Sequence, residues 1–144
     1  IIAVGGDHGG FKMKEELKGV LGDLGHKVQD FGAYSEEAVD YPDFAHAVAR
    51  SVADGVSDVG IIIDGAGVGS AMTANKVPGV RAALSVDAAT AAGARKWNDA
   101  NVLALSLRLL SEPVATEILD AWLGASYSGS EGASLAVIEQ PEGR

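Results

Sequence analysis

Apolar runs too short for helices alternate along this chain with longer amphipathic segments, and this alternation restricts the fold more than any other feature. Ile1-Ile2-Ala3-Val4, His26 to Phe31, Val59 to Ile63, Val80 to Val86 and Asn101 to Leu105 read as strands. Phe11, Met13, Leu17, Val20, Leu21 and Leu24 mark one face of a first helix. Phe44, Val48 and Val52 mark a second, which opens at Tyr41-Pro42-Asp43 with proline in its first turn. Ala71 to Lys76 predicts a short third helix, and Asp87 caps an alanine-rich fourth through Lys96. Glu112 to Leu123 follows with Val114, Ile118, Leu119 and Trp122 inward, and Glu131 to Glu139 reads as a last short helix before a frayed tail from Gln140 to Arg144. Such a pattern predicts an α/β fold, a parallel sheet with helices on both faces. Chemistry in that architecture gathers at the C-terminal edge of the strands, near a switch in strand order. There the chain would bring together Asp7-His8, Asp64 with the glycines after it, and the turn following Leu105.

With 144 residues and 47% hydrophobic content, the chain is expected to form one domain, residues 1–144, around one core. A net charge of −9 argues against nucleic-acid or acidic-membrane partners, whose phosphates would be repelled. An anionic substrate would then have to be held by local amides and a few chosen cations. Disulfides and thiolate metal sites are excluded because there is no cysteine. No run approaches the ~20 apolar residues of a membrane-spanning helix, and no basic-then-apolar leader opens the sequence, so a cytoplasmic location is expected.

The most informative stretch is Ile61-Ile62-Ile63-Asp64-Gly65-Ala66-Gly67-Val68-Gly69-Ser70. Three isoleucines suit a strand buried on both faces, and a carboxylate follows them directly. An ionised group in that setting is costly unless something uses it. Glycines at 65, 67 and 69 let the backbone turn and approach a ligand, and the amides of a helix N-terminus can converge on an anionic atom. The run is not a dinucleotide fingerprint, which would need glycine in place of Ser70.

Other candidates carry less on their own. Asp7-His8 between glycine pairs could orient polar groups of a ligand, or could be a capping aspartate beside a solvated histidine. His26 and His46 have no metal-ligand spacing, and neither a metal nor a cofactor is expected. Trp97-Asn98-Asp99-Ala100-Asn101 ends a helix, where asparagine commonly serves as a cap. Arg108 could hold a phosphate or pair with surface carboxylates.

Taken together, Gly6-Asp7-His8-Gly9-Gly10, Asp40-Tyr41-Pro42, Gly65 to Gly69, Ala74 to Ala82 and Asn98 to Val102 resemble the ribose-5-phosphate isomerase type B and galactose-6-phosphate isomerase family, in register from residue 1 to about Tyr127. The resemblance implies metal-free aldose–ketose isomerisation on a Rossmann-like three-layer αβα sandwich with a five-stranded parallel sheet. It also implies a homodimer or homotetramer with sites between subunits, residues 131–144 packing on a neighbour. It makes Asp64 the catalytic base where the family commonly has cysteine, with Asn98 helping to polarise the substrate. Asp7, His8, Tyr41, Arg108 and the loop residues Gly65, Ala66, Gly67, Gly69 and Ser70 become substrate-binding, the loop amides stabilising an enediolate. Departures accompany the match. Trp97 stands where pentose-phosphate members have a ring-opening histidine, Ala66 where they have threonine, and Glu131 and Leu135 where two phosphate-binding arginines often lie. The expected function is therefore a sugar-phosphate isomerase whose substrate opens unaided or is already open-chain. The alternatives are an isomerase of an unphosphorylated sugar, or a half-site subunit that needs a paralogous partner.

Overall fold

The computed structural model describes residues 1–140 and residue 142. Five strands, β1 (Ile2–Gly6), β2 (Val28–Asp30), β3 (Val59–Asp64), β4 (Ala82–Leu84) and β5 (Val102–Ser106), form one all-parallel sheet in the order β2-β1-β3-β5-β4. The helices are α1 (Phe11–Asp23), α2 (Tyr41–Ala53), α3 (Val68–Asn75), α4 (Ala88–Asn98), α5 (Glu112–Gly124) and α6 (Gly132–Glu139), with a 3₁₀ turn at His8–Gly10. The result is the Rossmann-like α/β sandwich expected.

Side-chain alternation along the central strands splits the core in two. Ile61, Ile63, Leu103 and Leu105 point to a layer built with Met13, Leu17 and Leu21 of α1, Ala91 of α4, and Ile118, Leu119 and Trp122 of α5. Ala3, Ile62 and Val102 point the other way, onto Ala45, Val48, Ala49 and Val52 of α2 and Ala74 of α3. Full burial of each large side chain contributes roughly 1.5–3 kcal/mol. Covered on both faces, β1 and β5 are buried at every residue, and β3 at all but Val59. The edge strands β2 and β4 are three residues each and only partly buried, and the alternating polarity of His26 to Phe31 already reads as an edge.

Helix and strand bounds differ from the sequence reading mainly at the glycine-rich exits. Strand β1 runs through Gly5-Gly6, where a Cβ on Gly6 or Gly10 would strike the carbonyl oxygen of Ile63, so the backbone of the first exit lies pressed on the third strand. Helix α3 begins at Val68 instead of Ala71, since Gly67 takes φ 76° and turns the chain into the helix at once. Strand β4 is shorter than Val80 to Val86, because Val80 closes a turn onto Val77 and Ser85 keeps a single backbone bond to Ala104. Expected fraying of the tail concerns residues that lie largely outside those described.

Topology places the crevice. The exits of β1 and β5 lead to helices on one face, whereas the exit of β3 leads to α3 on the other. The loop after β3 therefore diverges from both neighbours, which opens a gap above the C-terminal end of the sheet.

Candidate active site

Asp64 is the last residue of β3 and is 4% exposed. Its carboxylate lies beneath the glycine loop. Gly67 N–H donates to Oδ1, and the hydroxyl of Ser70 donates to Oδ2 at 2.6 Å. The turn is tied from the other side by the exit of β5. Leu107 N–H donates to the Asp64 carbonyl at 2.9 Å, while Arg108 N–H and Ser106 Oγ both donate to the Gly65 carbonyl, at 3.1 and 2.9 Å. These bonds tie the carboxylate and the carbonyls of Asp64 and Gly65 to both flanking elements, which holds the loop in one shape.

The N–H groups of Ala66, Val68, Gly69 and Ser70 make no hydrogen bond with the described residues; the first three belong to partly or fully exposed residues, whereas Ser70 is fully buried. Three of them belong to the first turn of α3, where no intrahelical acceptor exists. Of the loop amides assigned to substrate, that of Gly67 is instead committed to Asp64, and the side chain of Ser70 faces inward. The guanidinium of Arg108 lies beside Gly65, since a Cβ there would sit 3.5 Å from Nη2, and it forms no ion pair with the described residues. Tyr41, first in α2, lays its ring against Gly69, so a side chain at that position would have to push the ring aside.

Asp7 caps the 3₁₀ turn, its Oδ1 accepting from Gly10 N–H at 3.1 Å. His8 accepts the Val39 N–H on Nδ1 at 3.1 Å, which leaves the proton of the neutral ring on Nε2 as a donor. One chain therefore gathers Asp7, His8, Tyr41, Asp64, the loop and Arg108 on the exits of β1, β3 and β5 and the start of α2.

Asn98 is not among them. Helix α4 leaves the C-terminal end of β4 and descends to the start of β5, so its last residues Trp97 and Asn98 lie at the opposite edge of the sheet. There Asn98 lines a cleft of about 560 Å³ with Asn75, Lys76, Arg81, Ile138 and Glu139. Capping explains its neighbours better than it explains Asn98. Asp99, at φ 49°, ends the helix, and Asn101 bonds Arg81 N–H at 2.8 Å and the Gly79 carbonyl at 2.9 Å. Glu131 and Leu135 sit at the start of and within α6, none of whose residues is buried.

Sequence reasoning missed the support beneath this edge. Lys14 is fully buried and holds both oxygens of Asp30 at 2.7 and 2.6 Å between the rings of Phe11 and Tyr34, 5.3 and 5.5 Å from its Nζ. Asp30 in turn accepts Gly32 N–H at 2.8 Å, anchoring the loop that reaches Val39 and His8. The available signal was a lysine with Phe11, Leu17 and Leu21 three or seven residues away on a core-facing stripe. Burial pushes the Asp30 carboxyl up, but the hydrogen bonds from Lys14, Lys18 and Gly32 outweigh it and hold the group below the usual carboxylate range.

The family model described as Ribose/Galactose Isomerase matches residues 2–138. The chain belongs to this family. As a ribose/galactose isomerase family member it is an aldose–ketose isomerase of the sugar-phosphate class. It is 45% identical over 128 residues to ribose-5-phosphate isomerase B of Escherichia coli, covering 89% of this chain and 86% of that protein. It is 37% identical over 141 residues to D-erythrulose-4-phosphate isomerase of Pectobacterium atrosepticum, covering 96% and 91%. The solved ribose-5-phosphate isomerase B of Clostridium thermocellum superposes with a TM-score of 0.96 at 42% identity, over 99% of this chain and 97% of that one. No helix of the described residues is long and apolar enough to cross a membrane.

Proposed function

We propose that this isomerase interconverts an open-chain aldose phosphate and its ketose through a cis-enediolate, with Asp64 as the base. The observation that carries the reading is a buried carboxylate beneath a glycine loop in which Ala66, Val68 and Gly69 offer unpaired amides. A carboxylate offers about four lone-pair sites, and Gly67 and Ser70 use two. One of the remaining sites takes the proton from the carbon beside the carbonyl. The C–H electron pair becomes the enediolate double bond and the carbonyl π pair moves to oxygen; the proton of the neighbouring hydroxyl then passes to that oxygen, and the same carboxyl returns its proton to the former carbonyl carbon, leaving the carbonyl on the neighbour. The amides of Ala66, Val68 and Gly69 would donate to the oxygen that gains charge; one such donor is typically worth about 10²–10³ in kcat. Arg108 and the Nε2–H of His8 would take the phosphate, and Asp7 and Tyr41 the sugar hydroxyls. Asn98 would come from a neighbouring copy, whose opposite edge completes the site.

The finer substrate follows from what can move protons. Indole at Trp97 is a donor only and cannot help open a ring. A tetrose phosphorylated on O4 needs no such help, since the oxygen that would close a five-membered ring carries the phosphate. Resemblance to D-erythrulose-4-phosphate isomerase over 96% of the chain agrees with a four-carbon substrate. The test is solvent-deuterium incorporation into four- to six-carbon sugar phosphates and free sugars, comparing wild type with Asp64→Asn. Deuterium at C1 or C2 of a four-carbon phosphate, abolished by the substitution, is the expected result. Faster exchange into cyclic pentose phosphates would overturn the open-chain assignment, and undiminished exchange in Asp64→Asn would overturn the base.

A second reading has one observation in its favour, the separation of Asn98 from Asp64 within a single chain. A half-site subunit would show no exchange until mixed with a homologous chain that supplies the missing edge.

A further inference from the structure

We infer that Ser70 is a positioning residue for Asp64, its hydroxyl locking the carboxylate plane so that an unoccupied lone pair faces the substrate carbon. The inference rests on the reading of Asp64 as base. Ser70 stands at the third position of α3 and is fully buried, so it touches no substrate. Its Oγ lies 2.6 Å from Oδ2.

The geometry of the two donors is what gives this bond its consequence. The terminal torsion of an aspartate is broad and roughly two-fold, so a carboxylate held at one oxygen can still pivot. Here Gly67 N–H holds Oδ1 from the backbone while Ser70 holds Oδ2 from one helical turn further on. Two donors on two oxygens remove the pivot. The two are not equivalent, since the amide can only donate, whereas the hydroxyl can rotate and accept once Asp64 carries the proton. Ser70 thus stays paired with the carboxyl in both halves of the catalytic cycle.

A serine serving only the helix would affect stability alone, and this separates the two roles. Replacing Ser70→Ala is expected to lower kcat roughly tenfold to a hundredfold, the loss typical of a hydrogen bond to a charged group, with KM within about twofold. Ser70→Thr, which keeps the hydroxyl, should retain most of the wild-type kcat. Should Ser70→Ala unfold, Ser70→Cys is nearly isosteric, carries only a weak donor, and should lower kcat in the same way with KM little changed. A lowered melting temperature with kcat and KM unchanged would overturn the inference while leaving Asp64 as base. Loss of the base reading itself would show separately, as undiminished deuterium exchange in Asp64→Asn.

Discussion

Lys14 and Asp30 form a buried pair whose two halves are unequally supported. Removing the carboxylate leaves a fully buried ammonium with only Glu15 at 3.3 Å, whereas removing the ammonium leaves Asp30 with Lys18 at 2.8 Å and the Gly32 amide. Asp30→Asn should therefore cost about 3–5 kcal/mol and Lys14→Met about 1–2 kcal/mol, both readable by denaturant unfolding. The pair also sets an acid dependence. Its carboxyl titrates lower in the folded protein than in the unfolded chain, so its contribution is complete above the unfolded value of about 3.9 and is lost as pH falls through the lower folded range. The difference in melting temperature between wild type and Asp30→Asn should stay constant from pH 7 to about 4.5 and shrink below pH 4. A gap that widened in acid would show that the carboxylate is not what Lys14 holds. Asp64 itself was legible in the sequence because a carboxylate after Ile61-Ile62-Ile63 is conspicuous. Its partner Ser70 was legible only as a backbone amide, since no pattern tells which way a serine in a first helical turn will point.

At the scale of elements, the glycine-rich exits divide into those that carry the sheet and those that carry the site. A Cβ on Gly6 would meet the backbone carbonyl of Ile63, which cannot move without breaking the β1–β3 ladder. A Cβ on Gly69 would meet the ring of Tyr41, a side chain 37% exposed and free to swing outward. Gly6→Ala should therefore lower stability by several kcal/mol, in the range of overpacking and backbone strain, as measured by thermal unfolding. Gly69→Ala should leave the melting temperature within a few degrees and instead raise KM or lower kcat by displacing Tyr41. The reverse ranking would mean that the first exit is the more adaptable one. Strands β1, β3 and β5 were readable because burial on both faces makes them continuously apolar. The early start of α3 was not, because the left-handed conformation of Gly67 is one of several that a glycine run permits. The limits of β4 were also hidden, as an edge strand pairs on one side only and ends wherever its single partner stops offering hydrogen bonds.

For the whole molecule, the decisive fact is that Asp64 and Asn98 occupy opposite edges of one sheet. Local sequence carries no trace of this, since the neighbours of neither residue in the chain tell which edge of the sheet it will reach. Strand order and helix direction had to be known first. A symmetric dimer that joins the two edges would build each site from both chains. Equal mixing of Asp64→Asn and Asn98→Ala proteins after dissociation should then restore activity to about a quarter of wild type, because half of the dimers are mixed and each has one intact site of two. No recovery from two inactive, reassociated variants would place each site within one chain. The strand order β2-β1-β3-β5-β4 has a consequence in time as well. β4 pairs only with β5, and β3 awaits β5 on its open side, so a chain emerging from synthesis holds two incomplete fragments of sheet until residues 102–106 arrive. The same arrival brings Ser106, Leu107 and Arg108 to the turn at Asp64 and Gly65. The last strand to be made is therefore the keystone, and its insertion closes the sheet and shapes the turn at Asp64 in a single event.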